Sequence, residues 1–385
     1  MTAAAAELVA GILPVLREQA AESDRLAAFP AASLETLREH RLLSLTVPQE
    51  YGGSGASTRL WTEVAQELAG ACLSTAQIWA MHVSHVDAVV RYGSAELKAD
   101  LLTRIGTEEL FIASVTSEQG RGASLFTAHS PLVPDGDRVG IDRIAPVVTG
   151  GAHADGYLIS MRAGAEASEH EVSLVYADRA DLELATTGEW NALGMRATES
   201  VGMVIKGSAP ARNVIGGSGR FADVARESMI PVSHLAWAAC WLGAARGALS
   251  ELVRFLWKSG RADGASDLFH ERLARIRVDL ELASAYLTRV REEVDLARAE
   301  GRSLAHPRTQ LQLNALKVAT SDLAFRAVDN MVQLGGLRLG YLQDAPIPLE
   351  RHFRDLRSAS LTHANDGLRV GIGALSLLDR SVTLI

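Results

Sequence analysis

Two cysteines in 385 residues, Cys72 and Cys240, are too few for a disulfide framework and lack metal-ligand spacing. This suits a reducing, cytoplasmic setting. Dense Lys/Arg blocks are missing too, and the net charge is −8, which argues against a nucleic-acid partner. The longest apolar run, near Leu235–Ala245, is interrupted and too short to span a bilayer. Met1-Thr-Ala-Ala-Ala-Ala-Glu lacks the basic start and apolar centre of a secretory signal. Hydrophobic residues make up 48% and charged residues 22% of the chain, the balance of a globular protein.

Three kinds of patterning follow one another. Leu8, Ile12, Leu13 and Leu16, then Leu34, Leu37, Leu42 and Leu43, recur at helical spacing. Helix formers continue through Leu60–Ala69, Ser74–Tyr92 and Ala95–Ile105, interrupted by the loop Val47-Pro-Gln-Glu-Tyr-Gly-Gly-Ser-Gly55. From Phe111 the runs are short, β-branched and separated by turn formers such as Pro134-Asp-Gly-Asp137, which predicts a small antiparallel β domain. Long amphipathic stretches then predict helices over Leu235–Leu256, Leu268–Glu300, Arg308–Leu334 and beyond Arg354, a four-helix bundle. The expected division is 1–110, 111–218 and 219–385.

The chemistry-bearing segments lie at the joins. Pro348-Leu-Glu-Arg351-His-Phe-Arg354-Asp355 is followed by Thr362-His363-Ala364-Asn365. Val115-Thr-Ser-Glu-Gln-Gly-Arg-Gly-Ala-Ser124, Val147-Val-Thr-Gly-Gly-Ala-His-Ala-Asp155 and Leu193-Gly-Met-Arg196 are the others. Together with Val47-Pro-Gln-Glu-Tyr-Gly-Gly53, their order resembles the acyl-CoA dehydrogenase superfamily over essentially the whole chain. The resemblance implies a mainly α fold: a helical N-terminal domain, a β-barrel-like middle and a C-terminal four-helix bundle.

It also implies a flavin, FAD or FMN, and a homotetramer. Thr116, Ser117 and Ser124 fall on one flavin-facing loop, and Val147 and Thr149 on a second. The family's "V-T-E-P" has Gln119 in place of proline, and its "N-G-x-K" is replaced by Asp142-Arg143-Ile144-Ala145. Lys258 and Arg261 lie near the family's phosphate-binding arginine. Gln333, Gly335 and Gly336 resemble its "Q-x-x-G-G" segment, which serves the dinucleotide of a neighbouring subunit.

In this family a glutamate stands where the chain has His363, and one subgroup carries its glutamate where Ser233 stands. His234 occupies the place of an arginine near the substrate. An imidazole titrates near neutral pH. It is expected either to donate a proton or hydrogen bond to a flavin C4a-peroxide or to act as a base. Asp366, three residues on, would orient it or replace it as base. His82 and His85 sit one turn apart, with His82 either a residue of the substrate cavity or a satisfied core histidine; a metal is not expected.

Three functions remain open on this resemblance. One is a monooxygenase acting on a small organic molecule, using O2 and reduced flavin supplied by a separate reductase. The second is a dehydrogenase of acyl-CoA or acyl-carrier thioesters with a non-glutamate base. The third is a non-catalytic homologue that keeps the scaffold.

Overall fold

The computed structural model describes residues 2–120, 124–261, 266–382 and 384. The helices that build the site are labelled α1 (Leu13–Leu26), α2 (Thr58–Ala71), α3 (Leu73–Tyr92), α4 (Ile230–Lys258), α5 (Asp267–Ala299), α6 (Pro307–Gly336), α7 (Leu349–Arg357) and α8 (Asn365–Ser376). Their ends follow local chemistry. The Ser57 and Ser266 hydroxyls cap α2 and α5 by accepting from the N–H groups of Leu60 and Phe269. Pro307 starts α6, where its missing N–H costs nothing.

Helix gives way to strand between Glu108 and Ile112. One sheet has the order β1 (Ile112–Val115), β4 (Gly156–Arg162), β5 (Val172–Asp178), β8 (Val214–Ile215). The other has β2 (Val133–Asp135), β3 (Arg138–Ala145), β7 (Gly202–Pro210), β6 (Leu182–Thr187). The expected antiparallel pairing holds except at β1, which runs parallel to β4. The chain leaves β1 and builds β2 and β3 of the other sheet before returning as β4, and that crossover sets the direction. The middle is therefore two four-stranded sheets.

Helix α4 is the axis of the molecule. Buried on nearly all sides, it packs against α2, α3, α5, α6 and α7. Its crossing with α2 depends on Gly243 and Gly247. A Cβ on Gly243 would lie 2.2 Å from the Gln66 carbonyl, and one on Gly247 would lie 2.7 Å from Gly70 Cα. The expected last helix is two, α7 and α8, separated by the turn 358–364. His363 is in that turn at φ 49°, a left-handed conformation that costs a side-chain-bearing residue free energy.

Candidate active site

A cavity of about 470 Å3 lies between α3, α4, the 190–200 loop and the turn after α7. His363, Thr149, Val147, Gln77, Met81 and Trp237 contribute to its wall. It therefore joins the C-terminal histidine to the second of the two flavin-facing segments.

Thr149 Oγ1 lies 3.0 Å from Ser200 Oγ, which lies 2.8 Å from Thr198 Oγ1; both partners also line the cavity. Ser117 ties the first flavin-facing segment to the second. Its hydroxyl donates to the Val147 carbonyl at 2.7 Å and accepts from the Val147 N–H at 3.3 Å. Arg143, in the segment that departs most from the family pattern, is fully buried. It pairs with Glu118 at 2.8 Å and donates to the Ser117 carbonyl at 3.0 Å. Burial works to raise the Glu118 pKa, but the N–H groups of His129 and Ser130, with Arg143, hold it below the ordinary carboxylate range. The Arg143–Glu118 pair thus anchors the first of these segments to β3.

Thr116 is half-buried and Ser124 exposed, and neither lines the cavity. Arg121, Gly122 and Ala123 of the same segment lie outside the described residues. A flat ring with a polar edge fits here: Val147 and Thr149 offer an apolar contact and a hydroxyl. The residues present therefore fit a flavin ring. Those expected to hold its tail do not converge on this cavity. Arg261 is exposed and stacks over Phe255, 5.6 Å from the ring centre. Gln333 is exposed and bonded to Asp329, and Gly335 and Gly336 follow it away from the cavity.

His363 is held from behind. Lys317 of α6, wholly buried, donates to the Ala359 carbonyl at 3.0 Å and to Asn365 Oδ1 at 2.7 Å, bracketing the turn that carries His363. Asn365 in turn donates to Ser321 and Asp322. The ammonium also lies 5.3 Å from the centre of the Trp241 ring. Burial lowers the Lys317 pKa to about 8. Burial and the nearby Lys317 charge lower that of His363. The imidazolium is therefore disfavoured, and neutral His363 is the resting form near pH 7.

Four expectations need correction. Asp366 neither orients His363 nor acts beside it: its side chain is 98% exposed and meets Arg369. Helical spacing misleads here because the chain makes its left-handed turn at His363 and starts α8 only afterwards. His82 does not line the cavity. Its Nδ1 accepts from the Ile112 N–H at 3.1 Å, so its proton is on Nε2, which donates to the Leu43 carbonyl at 2.8 Å. It is a structural pin between α3, β1 and Leu43. His85 is similarly occupied by the Ile112 carbonyl.

His234 and Ser233 do not line the cavity either. His234 is buried behind it, with its ring centre 6.0 Å from that of His363 and Nδ1 donating to the Leu313 carbonyl at 3.2 Å. Burial, followed by the charges of His363 and Lys317, lowers its pKa to about 3. Among the described residues, no three His, Cys, Asp or Glu side chains group to hold a metal.

Gln77, Trp237 and Lys317 belong to no motif. The sequence signal was the same for each: a polar atom inside a helical stretch whose neighbours are apolar. No described helix is long and apolar enough to cross a membrane.

Comparison with known proteins accords with this geometry. Residues 7–109 match the family model "Acyl-CoA dehydrogenase, N-terminal domain", and residues 222–372 match "Acyl-CoA dehydrogenase, C-terminal domain". The chain is similar to mitochondrial isobutyryl-CoA dehydrogenase of Dictyostelium discoideum, at 22% identity over 90% of this chain and 81% of that one. It is also similar to dibenzothiophene monooxygenase of Rhodococcus erythropolis, at 28% identity over 62% of this chain and 59% of the other. Among solved structures, TdsC from Paenibacillus sp. A11-2 with FMN and indole has a TM-score of 0.85 at 21% identity, covering 98% of both chains. Butyryl-CoA dehydrogenase from Megasphaera elsdenii has a TM-score of 0.83 at 18% identity, covering 98% of this chain and 99% of its own. The matched halves, the element order and the fold agree: the chain belongs to the acyl-CoA dehydrogenase superfamily.

Proposed function

We propose that the protein is a flavin-dependent monooxygenase that takes reduced FMN or FAD from a separate reductase. The observation that carries this reading is the cavity wall: His363 lines it together with Val147 and Thr149, and among the described residues no Asp or Glu side chain does. A dehydrogenase of the ordinary kind needs a carboxylate there to take the α-proton. Bound reduced flavin would supply two electrons to O2, so that one oxygen atom enters the substrate and the other leaves as water. Val147 would pack on the ring, and the Thr149 hydroxyl would bond its polar edge. Neutral His363 has one N–H to donate to oxygen and one nitrogen free to accept a proton from substrate. Met81, Trp237 and Met195 give the same cavity an apolar lining. Similarity to dibenzothiophene monooxygenase supports this reading.

Stopped-flow mixing of protein and reduced FMN or FAD with oxygenated buffer tests it. Slow reoxidation is expected, with H2O2 appearing only as slowly as the oxidised flavin forms, changing in His363→Ala to fast reoxidation with equally fast release of H2O2. Immediate full release in both proteins would overturn it.

A dehydrogenase with neutral His363 as base is the second reading. The similarity to isobutyryl-CoA dehydrogenase, which extends over 90% of the chain, favours it. Anaerobic bleaching of the flavin by an acyl thioester would establish it. A colourless protein that takes up neither flavin would sink both readings and leave a non-catalytic scaffold.

A further inference from the structure

Three hydroxyls of the cavity wall form one chain. Thr149 Oγ1 lies 3.0 Å from Ser200 Oγ, Ser200 Oγ lies 2.8 Å from Thr198 Oγ1, and Thr198 donates to the Met195 carbonyl at 2.9 Å. All three residues line the cavity, and Thr149 is the half-buried one. The direction of the chain follows from its end. A carbonyl only accepts, so the one hydroxyl proton of Thr198 is spent on Met195. Ser200 must then donate to Thr198, and Thr149 to Ser200. Thr149 has no proton left for a ligand and keeps only the lone pairs of its oxygen.

The frame around the chain is built to hold it. The Val148 N–H donates to the Val201 carbonyl at 2.9 Å, and the Gly150 N–H to the Thr198 carbonyl at 3.0 Å. Backbone bonds on either side of Thr149 thus fix it against the 198–201 segment. Met195, at φ 53°, and Glu199, at φ 42°, both adopt the left-handed backbone that side-chain-bearing residues avoid. Strain of this kind clusters where geometry serves function. The two strained residues bracket Thr198, the residue that sets the direction of the chain.

We propose that Thr198 and Ser200 are positioning residues that fix Thr149 as a hydrogen-bond acceptor towards the flavin, so that the site distinguishes the reduced ring from the oxidised one. The inference rests on the reading of this cavity as a flavin site and adds no redox step to it. The polar edge of an oxidised flavin carries a single N–H, on N3, and its N5 is a bare acceptor. Reduction places a further N–H on N5. A hydroxyl that only accepts pairs with that N–H, but meets the bare nitrogen lone pair to lone pair. Donating to the oxidised ring requires the whole chain to reverse, which forfeits the bond from Thr198 to Met195.

Anaerobic titration of the protein with FMN, either oxidised or reduced by dithionite, tests it. The wild type should bind reduced FMN about fivefold more tightly than oxidised FMN, the weight of one net hydrogen bond. The same ratio raises the two-electron midpoint potential of bound FMN by about 20 mV over that of free FMN. In Ser200→Ala the Thr149 proton is released for the ligand, and in Thr198→Val the chain is free to reverse. In both variants the ratio should fall to within about twofold. In a Thr149→Val background, Ser200→Ala should change the ratio no further.

Equal affinity for the two oxidation states in the wild type would overturn the proposal, and needs no variant that folds. Together with slow reoxidation, that result would leave the monooxygenase reading intact. A ratio unchanged in folded Ser200→Ala and Thr198→Val would also overturn the proposal. So would a Ser200→Ala effect that persists beside Thr149→Val, because Ser200 would then act through the fold and not through Thr149. A preference for reduced FMN in a protein that releases H2O2 at once would sink the monooxygenase reading and leave this one standing.

Discussion

The Asp355 carboxylate accepts a 2.6 Å hydrogen bond from the backbone N–H of Met195, 160 residues earlier in the chain. One position back, Arg354 pairs with Asp24 of α1 and with Glu350, and donates to the Leu193 carbonyl. The Arg-Asp signature is thus a clamp. It draws α1, the 193–196 loop and α7 together and so sets the floor of the cavity. The imidazole that bears on the chemistry is eight residues further on.

Gly194→Ala should damage that clamp. A Cβ there would lie 2.1 Å from the Arg354 carbonyl oxygen, so α7 must shift. Urea unfolding should show a loss of about 1–3 kcal/mol. Gly164→Ala, where a Cβ meets nothing within 4 Å, should be near neutral.

Arg354→Ala strands two carboxylates that are each 15% exposed. The expected cost is about 3 kcal/mol. Lysine at this position should restore less than half of it, because an ammonium cannot reproduce the paired bonds to Asp24 at 2.7 and 3.0 Å. Full rescue by Arg354→Lys in the same unfolding measurement would show that charge alone suffices.

At His363 the backbone φ of 49° makes glycine the less strained replacement. His363→Gly should be more stable than His363→Ala by about 1 kcal/mol, although both lose the imidazole. The reverse order in denaturant titration would mean that the turn relaxes once the ring is gone.

Lys317→Met removes the nearest cation while keeping most of the side-chain volume. Because that charge depresses the His363 pKa, its removal should raise it, and NMR titration of the imidazole would read the shift. The change should be upward and need not reach the ordinary value, since burial remains the larger cause. Asn365→Ala, which keeps the ammonium, should leave the His363 titration low. An unmoved His363 in folded Lys317→Met would mean that Lys317 only braces the turn.

Acid should unfold this protein early. Burial holds His82 neutral to about pH 4, and His85, His234 and His352 to about 3. In the unfolded chain each protonates near pH 6.5, so unfolding takes up protons below that point. Stability is intact above about 6.5 and should fall towards pH 4, by about 1.4 kcal/mol per pH unit for each histidine. Asp355 acts oppositely: burial raises its pKa to about 6, so its contribution grows on acidification. Glu109 and Glu251, also raised by burial, act with Asp355, and His363 acts with the four histidines; the histidines are the larger set, and a flat stability profile between pH 6.5 and 4.5 would contradict the burial of these rings.

Residues 1–110 and 219–385 were readable as helices because their apolar positions recur with the helical period, and the strand runs because theirs are short and β-branched. The family signatures were readable because their glycines and prolines occupy tight places, such as Gly194 against Arg354. The role of Asp366 was misread, since a helical spacing argument cannot see a left-handed turn at His363. Gln77, Trp237 and Lys317 escaped because a polar atom among apolar helical neighbours is a mark many residues share; what sets each apart is the burial of that atom.

By itself, then, the sequence determined the family, the order of helices and strands, and the presence of an imidazole shortly after the Arg-Asp signature. Periodicity and local turn chemistry are properties of neighbouring residues, so they can be read along the chain. Only the tertiary structure decided that His363 shares a cavity with Thr149, that Lys317 stands behind it, and that His234, His82 and Asp366 lie outside. Those relations join residues far apart in the chain, and they depend on which side chains lose their water when the helices pack.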